Sequence, residues 1–152
     1  QRNMCKTVLH AGGVTQDSTV PRQTAQSMRF TYAGKALGYS KLLDSLLGFA
    51  TDMFVGFSSV ASLIGAQGQA NYAAANSSLD GKSTAWKNCG LPTTAIQWGA
   101  WAAVGMAAGN RKAQENLKAI GFAMIDPANG LKAMNSVTGG STMPSAVYLA
   151  SP

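Results

Sequence analysis

Charge is scarce in this sequence. Asp, Glu, Lys and Arg together supply 12% of 152 residues, about half the share of an ordinary soluble chain. Disorder is excluded all the same, because it needs high charge with low hydrophobicity, and 46% of these residues are apolar. Cysteine is scarce too. Cys5 and Cys89 stand far apart with no CxxC spacing, which excludes a disulfide-built mini-protein. His10 is the one histidine, and no zinc site can be assembled from so few nitrogen and sulfur ligands. A GxSxG elbow is missing, and Ser59 sits instead in Phe57-Ser58-Ser59-Val60, so a Ser-His-Asp hydrolase has no anchor. No run approaches eighteen apolar residues, so no membrane span is expected. The first residues, Gln1-Arg2-Asn3-Met4, show no signal-peptide pattern. They suggest an excised fragment and a cytoplasmic protein.

The length suits one domain or a large piece of one. Twelve Lys and Arg face six Asp and Glu, a net charge of +6. Such a surplus can steer acidic partners. The basic residues are scattered, and no nucleic-acid motif accompanies them. A mildly basic surface is therefore expected first, an acidic protein partner second, and nucleic acid last.

The apolar run Thr7 to Ala11, ending at Gly12-Gly13, predicts a buried strand and a turn. From about Arg22 to Phe49 the period is helical, with Leu42, Leu43, Leu46 and Leu47 as the apolar stripe. Met53 to Phe57 predicts a second strand, and Asn71 to Trp86 a helix ended by Asn88-Cys89-Gly90. Thr93 to Trp98 reads as a third strand, Ala113 to Ile120 as a short helix. Asp126 at an N-cap and Pro127 at the first helical position open another helix, to about Val137. Ala146 to Leu149 reads as a last strand. Apolar strands alternating with helices imply an α/β fold with a parallel sheet, helices on both faces and right-handed crossovers. A GxGxxG turn after the first strand is absent, although doubly wound sheets use one to hold dinucleotides. The fold expected is the C-terminal portion of a doubly wound, Rossmann-like sheet that lacks its Gly-rich first half, with residues 1–152 forming that portion.

Four side chains stand out together: Lys35, Ser59, Tyr72 and Asn76. Ser59 lies just past the end of a strand, where α/β folds place their sites. Tyr72 starts the next helix, and Asn76 shares its face one turn on. Lys35 sits on the preceding helix, in Ala33-Gly34-Lys35-Ala36.

Phe57-Ser58-Ser59-Val60-Ala61 and Gly68-Gln69-Ala70-Asn71-Tyr72-Ala73-Ala74-Ala75-Asn76 resemble the core of a polyketide synthase ketoreductase domain, within the short-chain dehydrogenase/reductase superfamily. Val8-Leu9-His10-Ala11-Gly12-Gly13-Val14 is similar to the family's strand and turn beside the nicotinamide. Ile96-Gln97-Trp98-Gly99-Ala100-Trp101 through Met106, and Asp126-Pro127 with Gly130-Leu131, also match in order. Tyr72-x-x-x-Asn76 in place of Tyr-x-x-x-Lys resembles the polyketide and animal fatty-acid ketoreductases, which exchange the Lys and Asn positions. Lys35 then matches the exchanged lysine, with Gly34 replacing the usual Pro.

The resemblance implies NADPH as hydride donor and a β-ketoacyl thioester on an acyl carrier protein as substrate, among other synthase domains. It implies Tyr72 as general acid, with Lys35 lowering the pKa of a phenol ordinarily near ~10 and holding the ribose. Ser59 would hydrogen-bond the carbonyl oxygen, and Asn76 would orient Lys35 or a relay water. Ala11, Gly12, Gly99 and Trp101 would line the cofactor; Asp17, Gln69 and Met106 would meet the substrate. Thr15-Gln16-Asp17 keeps the last Asp of the B-type motif, and Ile64 stands where A-type domains carry Trp, so the pattern leans to B-type. Alternatives are a fatty-acid synthase or other short-chain reductase, and a non-catalytic structural subdomain. The chain by itself is expected to bind NADPH poorly and to aggregate.

Overall fold

In the computed structural model, residues 4–102, 114–115, 119, 121–138 and 146–148 are described. Four strands form one sheet: β1 (Met4–His10), β2 (Ala50–Ser59), β3 (Thr93–Trp98) and β4 (Ala146–Tyr148). All pairings are parallel, in the order β1-β2-β3-β4. The strand order never reverses, so no topological switch point occurs among the described strands. β1 is an edge of the sheet, with Leu9 46% exposed.

β3 is buried at all six residues, as a central strand covered on both faces should be. Side chains alternate between those faces. On the first, Phe54 and Ala95 pack with Tyr39, Leu43 and Leu79. On the second, Val55, Ile96 and Trp98 pack with Ile125 and Val137. Each fully buried side chain of this size contributes about 1.5–3 kcal/mol.

The expected long first helix is three pieces: α1 (Ala25–Tyr32), a π-helical turn (Ala33–Leu37) and α2 (Gly38–Leu46). Thr24 caps α1 in a reciprocal capping box with Ser27, satisfying backbone donors that a helix start leaves open. A single turn, α3 (Ala61–Ile64), follows β2. The first-helix pieces and α4 (Ala70–Asn88) cover the first face. α5 (Pro127–Thr138) covers the second face through Ala133, Met134 and Val137. As expected, Asp126 opens it, its Oδ2 accepting from the backbone N–H groups of Ala128 and Asn129 at 2.9 and 3.3 Å.

The steps β2→β3 and β3→β4 run in the same direction across the sheet, yet α4 and α5 lie on opposite faces. The two connections therefore have opposite hands, and right-handed crossovers throughout are not found. The apolar patch of Val55, Ile96 and Trp98 on the second face draws α5 there. Of the expected helix Ala113 to Ile120, residues 114, 115 and 119 are described and helical; the rest lies outside the described residues.

Candidate active site

The site gathers at the carboxyl ends of β1, β2 and β3, where open parallel sheets bind ligands. Lys35 comes from the π-helical turn and is only 3% exposed. A π turn shifts the register of one helix face, and such turns recur at functional sites. The Lys35 Nζ donates to the Phe57 carbonyl on β2 at 2.7 Å and sits 5.9 Å from the centroid of the Tyr72 ring. Burial pulls the Lys35 pKa down to about 8, against the negative charge of Asp80, which raises it.

Tyr72 is in the first turn of α4 and buried. Burial pushes its phenol up. Hydrogen bonding from the Ser59 and Asn76 side chains opposes this, and the charge of Asp17 adds to the rise. Asn76, one turn on, donates through Nδ2 to the Tyr72 carbonyl at 2.8 Å. Its Oδ1 is buried without a partner. Ser59 ends β2, and its Oγ accepts from the Ala61 N–H at 3.2 Å, which turns the chain into α3.

Sequence spacing alone thus places Tyr72 and Asn76 together, and the structure brings Lys35 and Ser59 to them. His10 faces the same cluster from β1. Its Nε2 is 3.1 Å from the Lys35 carbonyl, which makes that nitrogen the donor. Burial, then the Lys35 charge, lower its pKa, so it stays neutral and supports the π turn.

The loop after β1 crosses above these groups and is fastened to the start of α4. Gln69 Nε2 donates to Asp17 Oδ2 at 2.9 Å, Asn71 Nδ2 to the Gln16 carbonyl at 2.8 Å, and the Ser18 N–H to the Gly68 carbonyl at 2.7 Å. Asp17 and Gln69 are therefore partners at the rim. Asn71, fully buried, also accepts from the Tyr72 N–H at 2.8 Å and reaches Thr31 Oγ1 at 3.2 Å. Sequence reasoning passed over Asn71, though an Asn at a helix start is a capping signal. It passed over Gly13 as well. A Cβ there would lie 2.5 Å from Lys35 Cε, so the lysine stem runs across that glycine.

Ala11 and Gly12 follow β1 and are exposed; Gly99 follows β3 and is half-buried. The Trp101 ring stacks edge-on to Trp98 at 5.0 Å and lies over Gly130 of α5, where a Cβ would be 2.5 Å from Cη2. Met106 lies outside the described residues. No cluster of His, Cys, Asp or Glu able to hold a metal occurs among the described residues, and no described helix is long and apolar enough to cross a membrane.

Residues 1–103 match the family model of the KR domain. A phenolphthiocerol/phthiocerol polyketide synthase of Mycobacterium tuberculosis is 37% identical over 130 residues, which is 86% of this chain and 6% of that protein. Among solved structures, the ketoreductase from the first module of phoslactomycin biosynthesis in Streptomyces sp. HK803 superposes with a TM-score of 0.87 at 31% identity, covering 97% of this chain and 34% of that one. An A-type ketoreductase from a modular polyketide synthase gives 0.91 at 28% identity, covering 97% and 31%. The chain thus spans a small part of its polyketide synthase relative and about a third of each solved ketoreductase.

Proposed function

The chain belongs to the KR-domain family, and we propose that it carries the catalytic half of an NADPH-dependent ketoreductase acting on a β-ketoacyl thioester held by an acyl carrier protein. The observation that carries this reading is the convergence of Lys35, Tyr72 and Ser59 from three separate elements, with the ammonium 5.9 Å from the phenol ring. The family's structures and its polyketide synthase relatives support the reaction class.

A buried ammonium, a phenol and a serine hydroxyl at the strand ends suit the nicotinamide-ribose end of a dinucleotide. A phosphate-binding glycine turn is not in this sequence. NADPH, when bound, supplies the hydride to the carbonyl carbon. Tyr72 supplies the proton at oxygen as general acid. Ser59 donates to the same oxygen as negative charge gathers there. The Lys35 charge would favour the phenolate left behind, and its ammonium would hold the cofactor's ribose. Asn76, with its Oδ1 unpartnered, would accept from Lys35 or from a relay water. Ala11, Gly12, Gly99 and Trp101 would line the cofactor side and Asp17 and Gln69 the acyl side, where the family resemblance also assigns Met106. Asp17, held by Gln69 at the rim, carries the lean toward B-type product configuration. The carrier protein would meet the basic surface, other synthase domains would flank this one, and the compartment would be the cytoplasm.

The test uses a preparation that includes the upstream half of the domain. NADPH oxidation is followed with a β-ketoacyl thioester, for wild type and Tyr72→Phe. A loss of about 100-fold or more in kcat, with NADPH binding retained, is expected. A folded, NADPH-binding wild type that turns nothing over would overturn the reading and favour a structural subdomain.

A further inference from the structure

Beneath Tyr72 and Asn76 on α4 lies a third polar residue at the same spacing, Asp80. Its carboxylate is half-buried, and among the described residues no cation touches it. Oδ2 accepts from the Ser62 hydroxyl at 2.7 Å and from Gln97 Nε2 at 2.8 Å. Oδ1 is buried without a partner. A buried carboxylate oxygen left without a partner costs stability.

What Asp80 joins accounts for that cost. Ser62 belongs to α3, and its hydroxyl is also 2.8 Å from the Ser59 carbonyl. Gln97 is on β3, in register with Ser58, and its Nε2 also reaches Ser62 at 3.0 Å. Phe57, next to Ser58, offers the carbonyl that receives Lys35. Asp80 is thus one side chain, Ser62, from the turn that presents Ser59, and Gln97 ties it to β3 beside the strand whose Phe57 carbonyl receives the ammonium. The other titratable groups around Lys35 are His10 on β1, neutral, Tyr39 on α2, whose phenol is pushed up to about 12, and Tyr72 on α4. Lys82 on α4 is turned to Ser40. None of these carries negative charge at neutral pH.

We propose that Asp80 is a positioning residue of the reductase site: it fastens the Ser59 turn to α4 and β3 through Ser62 and Gln97. The inference rests on the reductase reading for its kinetic consequence and on the Ser62 and Gln97 hydrogen bonds for the clamp, while the charge of Asp80 also favours the Lys35 ammonium.

Two variants of the domain with its upstream half separate the roles. Asp80→Asn keeps an acceptor for Ser62 and Gln97 and removes the charge. Ser62→Ala keeps the charge and removes the clamp. For Asp80→Asn, the Lys35 Nζ resonance, followed by 15N NMR, titrates at lower pH than in wild type. A loss of roughly fivefold in kcat/KM at pH 8, largely recovered at pH 6.5, accompanies it. Ser62→Ala lowers kcat at every pH, shifts the backbone amide resonances of residues 58–61, and leaves the Lys35 titration in place. Unchanged backbone amide resonances for residues 58–61 in Ser62→Ala overturn the inference whether or not the enzyme turns over, and an unmoved Lys35 titration in Asp80→Asn overturns the charge effect. Absence of turnover in wild type, with the titration shifted in the variant, overturns only the reductase reading.

Discussion

Lys35 and Phe57, 22 residues apart, are joined by an ammonium-to-carbonyl hydrogen bond of 2.7 Å. The carbonyl belongs to β2, two residues before Ser59. One bond therefore sets the ammonium against the strand that ends at Ser59, and aims it beside the Tyr72 ring.

Burial of that ammonium makes stability and activity run in opposite directions with pH. The Lys35 pKa falls from 10.5 to about 8 on folding. Between those values the unfolded chain binds more protons, so folding stability rises with pH across the window. Below about pH 8 the full cost of burying the charge applies, up to ~3 kcal/mol. On the proposed mechanism turnover needs the ammonium, so it should fall as pH rises through about 8. Lys35→Met removes this cost and the activity together. Its denaturant stability relative to wild type should be greatest at pH 7 and least near pH 10. A constant difference across that range would contradict the argument.

Gly13→Ala tests the path of the lysine stem. The added methyl meets Lys35 Cε at 2.5 Å, and the flexible stem has to yield. Stability should change by less than about 1 kcal/mol, while kcat falls about tenfold or more as the ammonium leaves Tyr72. Thermal unfolding and steady-state kinetics on one preparation measure both. Full activity in the Gly13→Ala variant would place the stem elsewhere.

Gly130→Ala tests the seat of Trp101. The methyl displaces the indole by its overlap with Cη2, which costs about 1–3 kcal/mol. Alanine's better helix propensity returns roughly 1 kcal/mol. A net loss of about 1 kcal/mol and a shift in tryptophan emission are expected. Raised KM for NADPH would in addition assign Trp101 to the cofactor side.

The 152-residue chain on its own should self-associate. Leu9, Phe30 and Leu37 are 46%, 55% and 48% exposed, and β1 is a sheet edge. Free edges beside apolar side chains invite pairing between molecules. Light scattering at rising concentration measures this, and Leu9→Lys should reduce it. A monodisperse chain that binds NADPH tightly would refute the expectation.

Local chemistry was legible from the sequence alone. The apolar run Thr93 to Trp98 is the strand with those same ends. Asp126-Pro127 opens its helix, and Tyr72 and Asn76 share a face because 3.6 residues make a turn. The resemblance of the Ser59 and Tyr72 motifs to ketoreductases stands with the family match. Tertiary structure alone decided the rest. The π turn that sends Lys35 inward breaks a helical period that looked continuous. Gln16 and Asn71 meet across 55 residues, Lys35 crosses Gly13, and Asp80 reaches Ser62 and Gln97. α5 packs on the second face and reverses the hand of its crossover. Periodicity, caps and turns act over a few residues, so one sequence window carries them. Contacts between distant segments depend on strand order and register, which exist only once the sheet has formed.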